Sequence, residues 1–299
     1  MIGPSDLRGL WGFPLTPFRD DVLDEGVFGS GVRALVDGGA HVIVAAGTLG
    51  QGDVMSDAER ESCLRVAVET VGGRRPVLGV LDAGGDIEQA AVVLSGAGAD
   101  AALLLPASGR VEDAARSLAA IEAATAGRLA VVLYQRGPLR LEPDELASLA
   151  TSPILVGLKD AHGDLRAFRR LFSSLGDRLA WVCAPEDLAA AYVTHGADAV
   201  APASMAYAPA YARSWWASLG SGDAAAAIDL LRRFAWPMTD LRYSRPDIEV
   251  TAVVEMARRF GHPVGDLRPP AAPLVPRELR ELDRLAGVLH VVLDEPTAG

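Results

Sequence analysis

Residues 129–164 read LAVVLYQRGPLRLEPDELASLATSPILVGLKDAHGD. Two short apolar runs, Leu129 to Tyr134 and Ile154 to Lys159, flank a stretch of helical period from Glu142 to Ala150. That alternation is the mark of a βαβ unit in a parallel sheet. It continues in both directions. Upstream, strands are predicted at Leu10 to Thr16, His41 to Ala46, Pro76 to Val80 and Ala101 to Leu105; downstream, at Leu179 to Cys183 and Asp198 to Pro202. Helices are predicted near Asp24 to Asp37, Asp57 to Val71, Asp86 to Ala97, Val111 to Thr125, Asp164 to Leu175 and Pro185 to His195. Several open on an acidic or capping residue, as the helix dipole favours. Eight such units with no Pro/Gly/Ser-rich linker predict an α/β fold, a closed (β/α)8 TIM barrel. The rival, a dinucleotide-binding doubly wound sheet, lacks its glycine-rich turn, because PLTPFRDD (residues 14–21) follows the first strand. Residues 1–208 make the barrel. Residues 209–299, with helices predicted at Pro209 to Leu219, Asp223 to Leu241, Ile248 to Phe260 and Arg277 to Leu289, make a helical extension of the same domain.

Composition narrows the function. The chain has 299 residues, 50% hydrophobic and 22% charged, which suits an enzyme-sized core. A net charge of −11 argues against nucleic acid and against an anionic membrane surface as partners. Two cysteines, Cys63 and Cys183, form neither a disulfide framework nor a zinc pattern. With no apolar run long enough to span a bilayer and no signal-like N-terminus, a cytoplasmic location is expected. The five histidines show no metal-ligand spacing, so no metal and no cofactor are expected.

Among 28 basic residues there is one lysine, Lys159. Its scarcity follows from an Ala- and Arg-rich composition, but that does not choose its position. Arginine stays protonated and cannot supply a neutral amine. Lys159 ends a strand, where barrel active sites form, and so does Tyr134 on the neighbouring strand; Gly47 and Thr48 follow a third. Desolvation there favours the neutral amine that attacks a carbonyl. The competing reading pairs Lys159 with Asp160 or Asp164 at the rim. Tyr134 is a proton relay or a packed core aromatic. Gly47-Thr48-Leu49-Gly50 is a carboxylate cradle or an ordinary turn. His162 reads as a loop histidine and Cys183 as a small buried hydrophobe.

These pieces resemble the dihydrodipicolinate synthase and N-acetylneuraminate lyase superfamily of Schiff-base-forming aldolases and dehydratases. The matching landmarks are Gly9 and Thr16-Pro17-Phe18, Gly47-Thr48 with Gly50, Tyr134, Val156-Gly-Leu-Lys159-Asp160, and Gly265 with Arg268-Pro-Pro-Ala-Ala-Pro-Leu274. The resemblance implies that Lys159 forms the imine, Tyr134 relays protons, and the Gly47-Thr48 turn binds the substrate carboxylate; the Thr48 hydroxyl in that turn reads as a further relay. It places Leu49, Gly50, Arg136 and Ser204 among the substrate-binding residues. Tyr134-Gln135-Arg136 and Lys159-Asp160-Ala-His-Gly163-Asp164 look most like the 5-dehydro-4-deoxyglucarate dehydratase branch, and 106–110 lack the tyrosine typical of dihydrodipicolinate synthases. The sequence departs from the family at Leu49, where a hydroxyl is usual, at Gln51, where glutamate is usual, and at Ala206, where the dehydratases commonly have Asn. The reading is thus a decarboxylating dehydratase acting on a 2-oxo sugar acid, assembled as a homotetramer built from dimers. A pyruvate-dependent aldolase is the alternative among enzymes. A catalytically silent sugar-acid binding or regulatory protein is the alternative of another class.

Overall fold

The computed structural model describes residues 1–295. Eight parallel strands close into a barrel: β1 (Gly9–Gly12), β4 (Val42–Val44), β5 (Val77–Asp82), β6 (Ala101–Leu105), β7 (Ala130–Gln135), β8 (Leu155–Asp160), β9 (Ala180–Cys183) and β10 (Ala199–Val200). Strand β10 pairs back onto β1, so no edge is left open. The strands are apolar on both faces because one face fills the barrel and the other receives the helices. Trp11, Val44, Leu103, Val132 and Val182 fill the interior, and the Trp11 indole N–H is satisfied by the Leu7 carbonyl at 2.8 Å.

The helices follow the predicted alternation: α1 (Glu25–Asp37), α2 (Asp57–Val71), α3 (Ile87–Gly96), α4 (Val111–Thr125), α5 (Pro143–Leu149), α6 (Leu165–Leu175), α7 (Ala189–Thr194) and α8 (Pro209–Gly220). Asp24, Asp86 and Asp164 accept hydrogen bonds from the first turns of α1, α3 and α6, and Ser56 with Glu59 forms a capping box on α2. Further helices are α9 (Ala224–Leu230), α10 (Trp236–Arg242), α11 (Glu249–Arg259) and α12 (Pro276–Asp294). Among the described residues no helix is long and apolar enough to cross a membrane.

Three expectations are corrected. The first strand stops at Gly12 rather than Thr16, since Pro14 and Pro17 have no N–H to donate; Phe18–Arg19 (β2) and Val22–Leu23 (β3) form a separate hairpin. The helix expected over 223–241 contains a π turn at Leu231–Ala235, just before Pro237, whose ring and missing N–H break the regular ladder. The segment from Pro185 begins as a 3-10 turn, Glu186–Leu188, and becomes α-helical only at Ala189.

Candidate active site

One irregularity decides which side chains enter the barrel. Strand β8 pairs Leu155 with Val131 but Gly157 with Val132, leaving Val156 as an extra residue. This β-bulge reverses the alternation of every residue beyond it. Val132 and Tyr134 face inward on β7, and the shifted register places Gly157 and Lys159 beside them. Asp160 and Gln135 face the opposite way. Behind the barrel wall the Gln135 amide donates to Asp160 at 2.9 Å and accepts from the Leu141 N–H at 2.8 Å, while the Tyr192 hydroxyl donates to the other Asp160 oxygen.

Lys159 therefore has no ion pair with Asp160, nor with Asp164, whose carboxylate caps α6. Its ammonium nitrogen lies 4.0 Å from the centre of the Tyr134 ring and 4.6 Å from that of Phe13. The side chain is buried, and burial without a carboxylate contact is the main cause that brings its pKa down to about 7; the Arg136 charge lowers it further. Two ring faces compensate a cation only in part. The Tyr134 phenol is pushed up to about 12, chiefly by desolvation, so it stays protonated and able to donate. Arg136 stacks over the outer part of the same ring, its guanidinium carbon 5.3 Å from the centre, and makes no ion pair among the described residues.

A cavity of about 1310 Å³ opens at this end of the barrel. Lys159, Tyr134, Arg136, Gly47, Thr48 and Leu49 all line it. In the turn after β4, Gly50 and Gly52 donate to the Gly47 carbonyl at 2.9 and 3.1 Å, and Gln51 donates to that of Thr48. The N–H groups of Thr48 and Leu49, at the start of that turn, have no carbonyl partner within it. Gly50 does not line the cavity; it packs under Pro14 and Thr16. Ser204 does not line it either. It is fully buried, and its N–H and hydroxyl both bind the carboxyl of Glu186, a residue of the cavity lining whose pKa is raised by burial. His162 binds the Leu139 carbonyl at 2.7 Å, and the Cys183 thiol, raised by burial, contacts the Pro185 carbonyl.

The departures have separate roles. Leu49 presents an apolar wall to the cavity, and Ala206 lines a different, small recess. Gln51 is a structural link: its carbonyl oxygen accepts the Arg268 N–H at 2.8 Å, and its amide nitrogen donates to the Asp266 carbonyl at 3.3 Å. A carboxylate could not make the second bond. Residues not singled out from sequence also line the cavity: Phe13 beside β1, Glu186 after β9, and Arg242, Tyr243 and Glu249 from the helical extension. Phe13 lay within an expected strand, but nothing in the local pattern around Arg242 or Glu249 reports a cavity.

The chain is similar to known proteins along most of its length. A model described as the dihydrodipicolinate synthetase family matches residues 6–288. The chain is 31% identical over 291 residues to a protein of Bradyrhizobium diazoefficiens named "Probable 5-dehydro-4-deoxyglucarate dehydratase", covering 95% of this chain and 93% of that one. It is 33% identical over 286 residues to a Methylobacterium radiotolerans protein of the same name, covering 93% and 94%. The fold superposes on the crystal structure of dihydrodipicolinate synthase from Acinetobacter baumannii complexed with pyruvate with a TM-score of 0.83, at 22% identity and covering 96% and 99% of the two chains.

Proposed function

The chain belongs to the dihydrodipicolinate synthetase family of Schiff-base-forming lyases, and from that premise we propose that it dehydrates a six-carbon 2-oxo sugar diacid of the 5-dehydro-4-deoxyglucarate type, with loss of carbon dioxide. The observation that carries this reading is the Lys159 amine: the only one on a side chain, buried, without a carboxylate partner, and held near neutrality at the base of a large cavity. The relatives named as dehydratases favour this chemistry over aldol condensation.

In this reading neutral Lys159 attacks the ketone carbon. Tyr134 and Thr48 deliver and remove the protons that turn the carbinolamine into an iminium ion and water. The carboxylate next to the ketone takes the free N–H groups of Thr48 and Leu49. The iminium then acts as an electron sink. A C–H bond next to it breaks to give an enamine, and the enamine expels the β-hydroxyl, which leaves as water on receiving a proton. The conjugated iminium so formed draws in the electron pair of the bond to the distal carboxylate, releasing carbon dioxide. The dienamine left behind takes up a proton on carbon to restore the iminium, its enol becomes the aldehyde, and hydrolysis of the iminium frees the product and returns the amine. Arg136, unpaired at the mouth, holds the distal carboxylate in the bound substrate.

Borohydride reduction in the presence of pyruvate or of 5-dehydro-4-deoxyglucarate tests the first step. The expected product is a covalent adduct on Lys159, seen by intact mass and peptide mapping. Lys159→Arg keeps the charge but not the amine, and should abolish both adduct and turnover. An adduct confined to the N-terminal amine, or none, sinks the imine mechanism. Efficient condensation of pyruvate with an aldehyde, without dehydration of the diacid, would replace this reading with the aldolase.

A further inference from the structure

Arg242 ends α10, yet it lies on the wall of the same cavity and is only 7% exposed. A guanidinium carries five N–H donors in a rigid fork. Here only Nη2 has an acceptor among the described residues, Glu249 Oε1 at 3.2 Å, and Nε is enclosed with none. A buried cation with one acceptor is under-satisfied, and the face of the fork that remains reachable belongs to the cavity. Glu249 lines the cavity too. Its Oε1 takes both Arg242 and the Tyr243 hydroxyl, while Oε2 has no hydrogen-bond partner among the described residues.

The pair thus presents spare donors and a spare acceptor side by side, with its charge already balanced. That combination discriminates between ligand groups. A second carboxylate would gain from Arg242 but be opposed by Glu249, and the Glu186 carboxyl stands close by. A hydroxyl meets no such conflict: it accepts a hydrogen bond from the guanidinium and donates its own proton to Glu249. Arg136 has the contrary character, an unpaired cation suited to a full anion.

We propose that Arg242 and Glu249 form a hydroxyl-reading subsite, which receives a hydroxyl group carried on the substrate's carbon chain between its two carboxylates. This rests on the sugar-diacid reading above and deepens it: the helical extension, rather than the barrel, selects a hydroxylated chain. Arg242 is a specificity residue for the substrate's far half and takes no part in imine formation.

The test compares 5-dehydro-4-deoxyglucarate with 2-oxoadipate, which has the same six carbons and both carboxylates but no hydroxyls. The readout is the concentration that half-saturates borohydride trapping at Lys159. The unaltered protein should favour the hydroxylated compound by roughly tenfold or more, the scale of a hydrogen bond to a charged group. Arg242→Lys keeps a cation opposite Glu249 but removes the fork, and should cut that preference about tenfold while 2-oxoadipate shifts by no more than about twofold. Equal half-saturation by the two compounds in the unaltered protein overturns the subsite without recourse to any variant. So does an equal weakening of both in Arg242→Lys, which would mark Arg242 as a carboxylate or structural contact. Trapping of neither compound would instead remove the sugar-diacid reading itself.

Discussion

Lys159 has its amine between the faces of Phe13 and Tyr134, and its protonation is governed first by burial and then by the Arg136 charge, both lowering its pKa, with Cys183 and Glu249 opposing them. The direction of the pH dependence follows. The reactive form is the neutral amine, so trapping by a 2-oxo acid should rise with pH through a midpoint near 7 and level off above it. Arg136 contributes to the lowering. Arg136→Met should move the midpoint to higher pH, and also weaken the diacid by the loss of a charge-assisted contact, about 1.5–3 kcal/mol. A pH profile of trapping in both proteins checks the sign; an unmoved or acid-shifted midpoint would rule out Arg136 as a neighbour of the amine. Tyr134 differs in kind: its ring packs against the amine, and in the proposed mechanism its hydroxyl serves proton transfer. Tyr134→Phe keeps the ring, and should lower kcat by about 100-fold with little change in melting temperature. Near-normal turnover in that variant would return Tyr134 to a packing role.

The alternation of strands and helices was legible because strands buried on both faces read as unbroken apolar runs between helical periods. The direction in which Lys159 points was not. Ile154-Leu-Val-Gly-Leu is apolar throughout, so one unpaired residue at Val156 leaves no trace in its hydrophobicity, although it exchanges the places of Lys159 and Asp160. The alternative of a lysine ion-paired to Asp160 survived in the sequence for that reason. Gly50 and Ser204 were expected among the substrate-binding residues, yet neither lines the cavity: Gly50 packs under Pro14 and Thr16, and Ser204 is held on Glu186. The turn after β4 can be tested as a unit. A β-carbon on Gly52 would lie 1.9 Å from the Ala46 carbonyl oxygen, with no flexible side chain able to yield. Gly52→Ala should cost about 2–3 kcal/mol in chemical denaturation and slow trapping at Lys159 by displacing Thr48. Gly31→Ala in α1, where an added β-carbon meets nothing within 4 Å, should instead stabilise by about 0.5–1 kcal/mol.

Across the whole molecule, Arg268 ties the helical extension back to the start of the chain. Its guanidinium makes two bonds to Glu59, at 2.7 and 3.0 Å, and two to Asp21, to the carboxylate at 2.5 Å and to the backbone carbonyl at 2.7 Å, and covers the Phe18 ring with its carbon 3.7 Å from the centre. The hydrogen bonds from Arg268 hold the Glu59 carboxyl down to about 2. A carboxylate with a depressed folded pKa contributes its full stabilisation above its unfolded value near 4.5, and loses it as pH falls toward 2. Arg268→Ala should therefore unfold at a lower temperature, by about 2 kcal/mol at neutral pH, with the deficit narrowing through that acid window. A deficit that stays constant from pH 5 to 2.5 would show that Glu59 is not the partner that matters. The tie has a consequence for how the protein is made. Strand β1 waits for Ala199 and Val200 to close its open side, and the hairpin beside it waits for residues 265–268. A ribosome must emit about nine-tenths of the chain before its first tenth can settle, so a nascent half-barrel with bare strand edges stands for many seconds at ordinary rates of synthesis, a natural client for chaperones.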